Sequence, residues 1–117
     1  MADIELDKKT DQAITFQYYD TDGTTPRTLV GATVFFTVKE NSYDSDADDS
    51  DAIISATVTN HTNAAGGVST ITLSDDDTDV SPKNYFYDIK VKESGGSIYK
   101  AQSGRCLVNS SVTNRTS

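Results

Sequence analysis

Basic charge and tryptophan are scarce in this chain, and each shortage excludes a class of function. Lys and Arg total 10 against 18 Asp and Glu, which gives a formal net charge of -8. Such a charge repels the phosphates of a nucleic acid as well as an anionic membrane. We therefore expect neither nucleic acid nor membrane as a partner. Without Trp, and with 9% aromatic residues, the chain has enough apolar bulk for a thin sandwich but hardly for a deep substrate cavity.

Long hydrophobic runs are also missing. No apolar stretch approaches the roughly 18 residues of a membrane-spanning helix, and residues 1–9 lack the basic start and apolar run of a secretory signal. We expect a protein that is made and kept soluble. A length of 117 residues fits a single domain over 1–117, and a domain of this size buries only about two thirds of its unfolded surface.

Few residues could carry covalent or metal chemistry. Cys106 is the only cysteine, so an internal disulfide and a two-cysteine metal site are excluded. The apolar Leu107 and Val108 after it predict a buried, inert thiol. His61 is the only histidine and lies in a polar turn, and neither a nucleophile elbow nor a phosphate loop occurs. We expect no enzyme activity, no catalytic residues and no cofactor.

Short runs of alternating apolar and polar residues recur along the chain, separated by turn residues. No window keeps a helical period over three turns, so the pattern is typical of β-strands. The runs lie at residues 4–6, 14–18, 32–38, 54–58, 71–73, 85–91, 98–103 and 106–112. They predict an all-β, immunoglobulin-like β-sandwich of about seven or eight antiparallel strands. The runs 54–58 and 71–73 are expected to form a hairpin.

An acid-rich turn precedes the longest alternating run. Ser74 is expected to cap a single helical turn there, and Pro82 forbids a continuing strand ladder. An acid-rich turn followed by Tyr-x-Tyr resembles the tyrosine corner of immunoglobulin domains, with Tyr85 at the corner and Tyr87 as the core residue two positions later. The alternative is that both are simply inward-facing residues of one strand.

Apolar residues in polar surroundings are the candidate partner contacts. Phe35 lies on the polar face of the run 32–38, where either a neighbouring loop covers it or a partner does. Both ends of the chain are weakly patterned, so residues 1–10 and 113–117 are expected to be flexible or to order against a neighbouring subunit. Ile4, Leu6 and Val112 in or beside these segments are the other candidate contacts.

Several landmarks occur in an order that resembles a known family. They are residues 11–19 before Asp22-Gly23, residues 28–32 leading into 34–38, residues 71–74 with Asp77-Thr78, residues 84–89, and Gly104 followed by Val108 and residues 112–115. Together they resemble the small immunoglobulin-like virion proteins of tailed phages, related to the N-terminal domain of the phage baseplate upper protein. The resemblance covers nearly the whole chain, with the acidic segment 43–51 as an insertion.

The resemblance implies a non-enzymatic structural protein of the virion, made in the cytoplasm of the bacterial host. We expect it to bind an assembled capsid shell, and thus the major capsid protein, as a cement or decoration protein. A tail or baseplate component, in contact with tail or baseplate proteins, is the alternative, and a homo-oligomer is compatible with either. A carbohydrate or cell-surface binding module is a further alternative, for which Tyr19, Tyr43 and Tyr99 are the candidate aromatic platform.

The segment 43–51 also holds the weak candidates for a metal site. Asp44, Asp46 and Asp48 have the one-three-five spacing of a calcium loop. The sixth position is Asp49 rather than Gly, however, and the twelfth is Ser55 rather than Glu. This mismatch indicates weak divalent binding at most, so no metal cofactor is expected.

Calcium titration tests this interpretation. Because the ligand pattern breaks after the third position, calcium should bind weakly and without saturation, and deletion of residues 44–51 should leave the melting temperature nearly unchanged. Calorimetry with calcium, beside thermal melts of both forms, measures this. A sub-micromolar affinity, or a melting temperature raised by many degrees in millimolar calcium, would contradict it.

Overall fold

The computed structural model describes residues 3–40, 52–110 and 112, and within these ranges the chain folds into seven β-strands. Their bounds are β1 Ile4–Asp7, β2 Gln12–Gln17, β3 Thr33–Lys39, β4 Ile54–Val58, β5 Val68–Leu73, β6 Asn84–Lys92 and β7 Ile98–Asn109. Among the described residues there is no helix long and apolar enough to cross a membrane.

The strands form two sheets, which confirms the predicted all-β sandwich. Five strands make the larger sheet in the order β1-β7-β6-β3-β4, and β2 pairs with β5 in the smaller one. The order β7-β6-β3-β4 matches the G-F-C-C′ order of an immunoglobulin variable-type sheet. One described pair departs from the antiparallel prediction, because β1 runs parallel to β7, with Ile4 opposite Cys106 and Leu6 opposite Val108.

The core lies between the sheets and is built from the inward residues of the alternating runs. In β3 the side chains of Val34, Phe36 and Val38 are fully buried, whereas Phe35 between them is exposed. The other buried apolar residues are Leu6, Phe16, Tyr18, Leu29, Ala32, Ile54, Ile71, Leu73, Tyr85, Tyr87, Ile89, Val91, Cys106 and Val108. The faces assigned from the sequence to the runs 32–38 and 85–91 are therefore confirmed. Burial also raises the pKa of the Cys106 thiol to about 11, as expected for an inert core cysteine.

A hydrogen-bonded corner leads into β6, the middle strand of the larger sheet. The Tyr85 hydroxyl donates to the backbone oxygen of Ser81 at 2.6 Å, four residues upstream, as in a tyrosine corner. The turn before it is a capping box, in which the Asp77 amide donates to the Ser74 Oγ while the Asp77 carboxylate accepts from the Ser74 amide. The corner and the capped turn that the sequence predicts are both present.

The strand partners were predicted less well than the faces. The runs 54–58 and 71–73 do not form a hairpin, because β4 hydrogen-bonds to β3 and β5 to β2, in different sheets. The last two predicted strands, 98–103 and 106–112, are a single strand, β7. It pairs with β6 along the whole length of β6, with a shift in register between Ile89 and Lys90. There Lys90 pairs with Lys100 and Ile89 with Gln102, so Ala101 is the extra residue of a bulge.

The N-terminal segment also differs from the prediction of a flexible or partner-bound end. Residues 4–7 form β1, whose hydrogen bonds to β7 place Leu6 in the core. The turn after β1 is held as well, since the Thr10 amide donates to the buried Thr78 Oγ1 and the Thr78 hydroxyl donates to the Thr10 carbonyl. Two alternating apolar residues, Ile4 and Leu6, are thus enough to form an edge strand. At the other end of the chain, residues 113–117 lie outside the described ranges.

A pair of substitutions in β3 tests the assignment of its faces. Phe36→Ala should lower the free energy of unfolding by about 3 to 5 kcal/mol, because it opens a cavity in the core beside Tyr87, whose ring centroid lies 5.9 Å away. The neighbouring Phe35→Ala serves as the matched control and should cost under about 1 kcal/mol, since the ring is partly exposed. Urea unfolding followed by tyrosine fluorescence measures both. Equal losses for the two variants would show that the faces are reversed.

Candidate partner-binding surface

Most exposed large apolar side chains of the described residues lie at one end of the sandwich. This end, called here the hairpin end, comprises the β2–β3 connection (residues 18–32), the β6–β7 turn (residues 93–97) and the adjoining ends of β3, β6 and β7. Within the described ranges six large apolar residues are exposed, and all except Val112 belong to the hairpin end: Tyr19, Val30, Phe35, Ile98 and Tyr99. Phe35 and Ile98 lie on the outer face of the larger sheet, whereas Tyr99, which pairs with the buried Val91, lies on its other face. Exposed apolar groups concentrated at one end of a domain are typical of an interaction site.

Phe35 lies on the outer face of the larger sheet, among polar residues. It pairs with Lys90 of β6 on one side and with Thr57 of β4 on the other. Lys100 lies beyond Lys90 on β7. With 37% of its surface exposed, Phe35 is only partly covered by its described neighbours.

A partly exposed ion pair holds the loops of the hairpin end together. The Arg27 guanidinium donates to both carboxylate oxygens of Glu93, from Nε at 2.5 Å and from Nη2 at 2.9 Å. A third hydrogen bond joins Nη1 to Asp20 at 3.1 Å, and the Tyr18 hydroxyl donates to Glu93 at 2.9 Å. Two parallel N–H···O bonds fix the planes of both groups, so the β2–β3 connection is fastened to the end of β6.

The same contacts shift the pKa values of the cluster. The Arg27 hydrogen bonds lower the pKa of Glu93, and the Glu93 carboxylate raises that of Arg27. Burial, with the hydrogen bond to Glu93, raises the pKa of Tyr18 to about 12. Arg27 therefore stays charged, Tyr18 stays neutral and Glu93 stays ionised throughout the physiological range.

Arg27 also forms part of a shallow surface cavity. Its guanidinium lies 5.0 Å from the centre of the Tyr99 ring, a cation–π distance. The cavity has a volume of about 260 Å³, and Tyr19, Asp20 and Lys100 are among its other lining residues. Two of the three tyrosines proposed from the sequence as an aromatic platform thus border one cavity, while Tyr43 lies outside the described residues.

Short contacts hold the loops of this end in place. Gly31 has a φ of 73°, and a Cβ there would come within 2.9 Å of the Ser94 Cβ, so only glycine lets this loop pack against the β6–β7 turn. His61 bridges two elements, with Nε2 2.8 Å from the Ala32 carbonyl and Nδ1 2.9 Å from the Ser69 hydroxyl. Because a carbonyl only accepts, Nε2 carries the proton, and His61 has a structural role.

The remaining predicted site residues are dispersed. Leu6 is 1% exposed and belongs to the core, which corrects its assignment as a partner contact. Ile4 is half-buried and packs against that core, so it offers little surface. Val112 is fully exposed but lies away from the hairpin end. The metal candidates Asp44, Asp46 and Asp48 lie outside the described residues, within which no group of three or more His, Cys, Asp or Glu is placed to hold a metal ion.

The sequence did not indicate the ion pair that holds the loops of this end together. Arg27 and Glu93 are 66 positions apart, and no local motif marks either one. The lysines could have been found, because Lys90 and Lys92 alternate on the polar face of a run and the Gly95-Gly96 turn brings Lys100 opposite them.

Acid titration of Glu93→Gln tests the role of the ion pair. Because the pKa of Glu93 is lowered in the folded state, its ionised form adds stability above its unfolded pKa of about 4.3, and this is lost as the pH falls through the lowered folded value. The variant should therefore melt below the wild type at pH 7, and the difference should shrink below about pH 4. Thermal melts across this range measure it.

Glu40→Gln is the control for that titration. Glu40 makes an exposed ion pair with Lys83, and such pairs contribute about 1 kcal/mol or less, so its loss should change the melting temperature less. A difference for Glu93→Gln that is the same at pH 7 and pH 3 would contradict the assigned role.

Comparisons with known proteins support the fold alone. Neither a protein-family model nor a curated protein matches the chain. Among solved structures, it is similar to the crystal structure of the PmoD soluble domain from Methylocystis sp. ATCC 49242 (Rockwell), with a TM-score of 0.52 and 7% sequence identity, covering 90% of this chain and 77% of that one. At this identity the similarity is one of architecture, that of an all-β sandwich.

Proposed function

We propose that this chain is a non-enzymatic structural protein of a tailed-phage particle, which binds an assembled capsid shell as a cement or decoration protein through its hairpin end. The observation that carries the proposal is the concentration of five exposed large apolar side chains at that end. Exposed aromatic and aliphatic anchors are what a protein partner covers when it binds.

The rigidity of the hairpin end supports this proposal. Arg27 fastens the β2–β3 connection to the end of β6 through Glu93, so the exposed side chains next to it are already ordered before a partner arrives. Preorganisation lowers the entropic cost of association. In immunoglobulin variable domains, the corresponding B–C and F–G loops are likewise the binding loops.

The resemblance to phage virion proteins supplies the identity of the partner. The resembling segments fall on β2, β3, β5, β6 and β7 and include the tyrosine corner, which the structure contains. A small docking surface suits a repeating shell, because many copies bind at once where one copy alone binds weakly. A tail or baseplate tube is the alternative partner, since it offers the same kind of repeat.

A carbohydrate or cell-surface binding module is the second candidate function. One observation favours it: Tyr19 and Tyr99 border the same cavity, together with Asp20 and Arg27. Aromatic rings with a few polar groups around them are typical of small-molecule sites. The five exposed apolar residues extend well beyond this cavity, however, and are better matched to a protein surface.

Particle-binding experiments test the proposal. The double variant Phe35→Ser/Ile98→Ser should lower the occupancy on purified particles about tenfold or more, because two apolar anchors together contribute roughly 2 to 4 kcal/mol. Particles from a phage lacking this gene are incubated with the purified protein, sedimented and quantified by mass spectrometry. Electron cryomicroscopy then distinguishes capsid from tail.

Val112→Ser is the matched control, because it removes an exposed apolar side chain away from the hairpin end. Its occupancy should equal that of the wild type. Full occupancy of the double variant would assign attachment to another surface. If the wild-type protein neither occurs in native particles nor binds the deficient ones, the proposed function is wrong.

A further inference from the structure

The lysines of the hairpin end are grouped on one face of an acidic protein. Lys90 and Lys92 of β6 lie on the outer face of the larger sheet, and Lys100 and Ile98 of β7 lie opposite them. Phe35 is paired with Lys90. All three ammonium-bearing side chains are exposed, although the chain as a whole has a net charge of -8.

The loop carboxylates of this end are bound to other groups, and on β6 the carboxylate that shares the outer face with the lysines is Asp88, which pairs across the sheet with Thr37 and Ser103. Glu93 and Asp20 both accept hydrogen bonds from Arg27. Asp22 accepts from Thr24 and Thr25 of its own loop, contacts that lower its pKa to about 2. No ion pair joins Lys90, Lys92 or Lys100 to a carboxylate within the described ranges. The face is therefore locally positive as well as apolar.

The opposite end of the sandwich has the reverse character. Its loops include the acidic turn with Asp75, Asp76, Asp77 and Asp79. The nearby cations Lys8 and Lys83 form ion pairs with Asp79 and Glu40, respectively. Among the described residues, carboxylates thus outnumber cations at this end, whereas the four cations of the hairpin end outnumber its three loop carboxylates. A partner with a negative surface is attracted by the hairpin end and repelled elsewhere, which orients the encounter.

From this charge pattern we infer that the hairpin end docks on an acidic protein surface, with Phe35 and Ile98 as apolar anchors and Lys90, Lys92 and Lys100 pairing with Asp or Glu of the partner. The inference rests on the proposed function and adds the chemistry of the partner. A protein is favoured over a polyphosphate because Phe35 and Ile98 are apolar anchors, which a protein surface can cover and a chain of phosphates cannot.

Charge neutralisation at matched positions tests the inference. The triple variant Lys90→Gln/Lys92→Gln/Lys100→Gln removes three positive charges from the hairpin end, whereas Lys8→Gln/Lys9→Gln/Lys83→Gln removes three from the opposite end. Both variants have the same net charge, so only the position differs. The first should bind gene-deficient particles about tenfold or more weakly at low salt, mainly through slower association, and the second should bind like the wild type.

The salt dependence of particle binding distinguishes a failure of this inference from a failure of the proposed function. Wild-type binding should weaken about tenfold or more between 50 mM and 500 mM NaCl, as screening removes exposed charge pairs, and the hairpin-end variant should lose most of that dependence. Binding that is insensitive to salt and to both triple variants would overturn the acidic partner while leaving the virion function intact. Failure of every form to bind would overturn the virion function itself.

Binding to defined probes is read by NMR, independently of particles. Poly-L-glutamate should shift the amide resonances of Lys90, Lys92 and Lys100. A DNA duplex that binds more tightly than poly-L-glutamate would overturn the inference in favour of a nucleic acid. A third outcome would overturn the inference in favour of a saccharide site: methyl glucoside shifts the amide resonances around Tyr19 and Tyr99, and poly-L-glutamate shifts none.

Discussion

Burial of alternate residues along β6 is the constraint on which the rest of the molecule depends. This strand hydrogen-bonds to β3 on one side and to β7 on the other, and Tyr85, Tyr87, Ile89 and Val91 all project into the core. A shift of one residue would place four large apolar side chains in water. The register of the neighbouring strands is therefore fixed. It places Glu93, the first residue after β6, within hydrogen-bond distance of Arg27.

Period-two patterns made the faces of the strands predictable. The burial of Val34 and Phe36, the exposure of Phe35 between them, and the Tyr85 corner all follow from residues close together in sequence. Their common cause is local, since side chains alternate across any strand. For such features the sequence around each residue contains the physical information that decides its environment.

Strand partners and long-range ion pairs were not predictable in this way. The pairing of β1 with β7 depends on hydrogen bonds between backbones about 100 residues apart, and backbone groups are the same in every residue. Leu6 was taken for a surface contact because the polar residues around it indicated an end of the chain that orders only against a partner. Arg27 and Glu93 likewise meet only because the fold brings the β2–β3 connection to the end of β6, so no spacing in the sequence marks them.

The reactivity of the Cys106 thiol measures how often the fold opens around it. Its sulfur is fully buried where β7 pairs with Ile4 on one side and Tyr85 on the other, and only a thiolate reacts with alkylating reagents. Modification must therefore wait until the N-terminal strand detaches or the whole domain unfolds. The rate of thiol alkylation, compared with global unfolding, would time the release of this edge strand, and no label needs to be engineered into the protein.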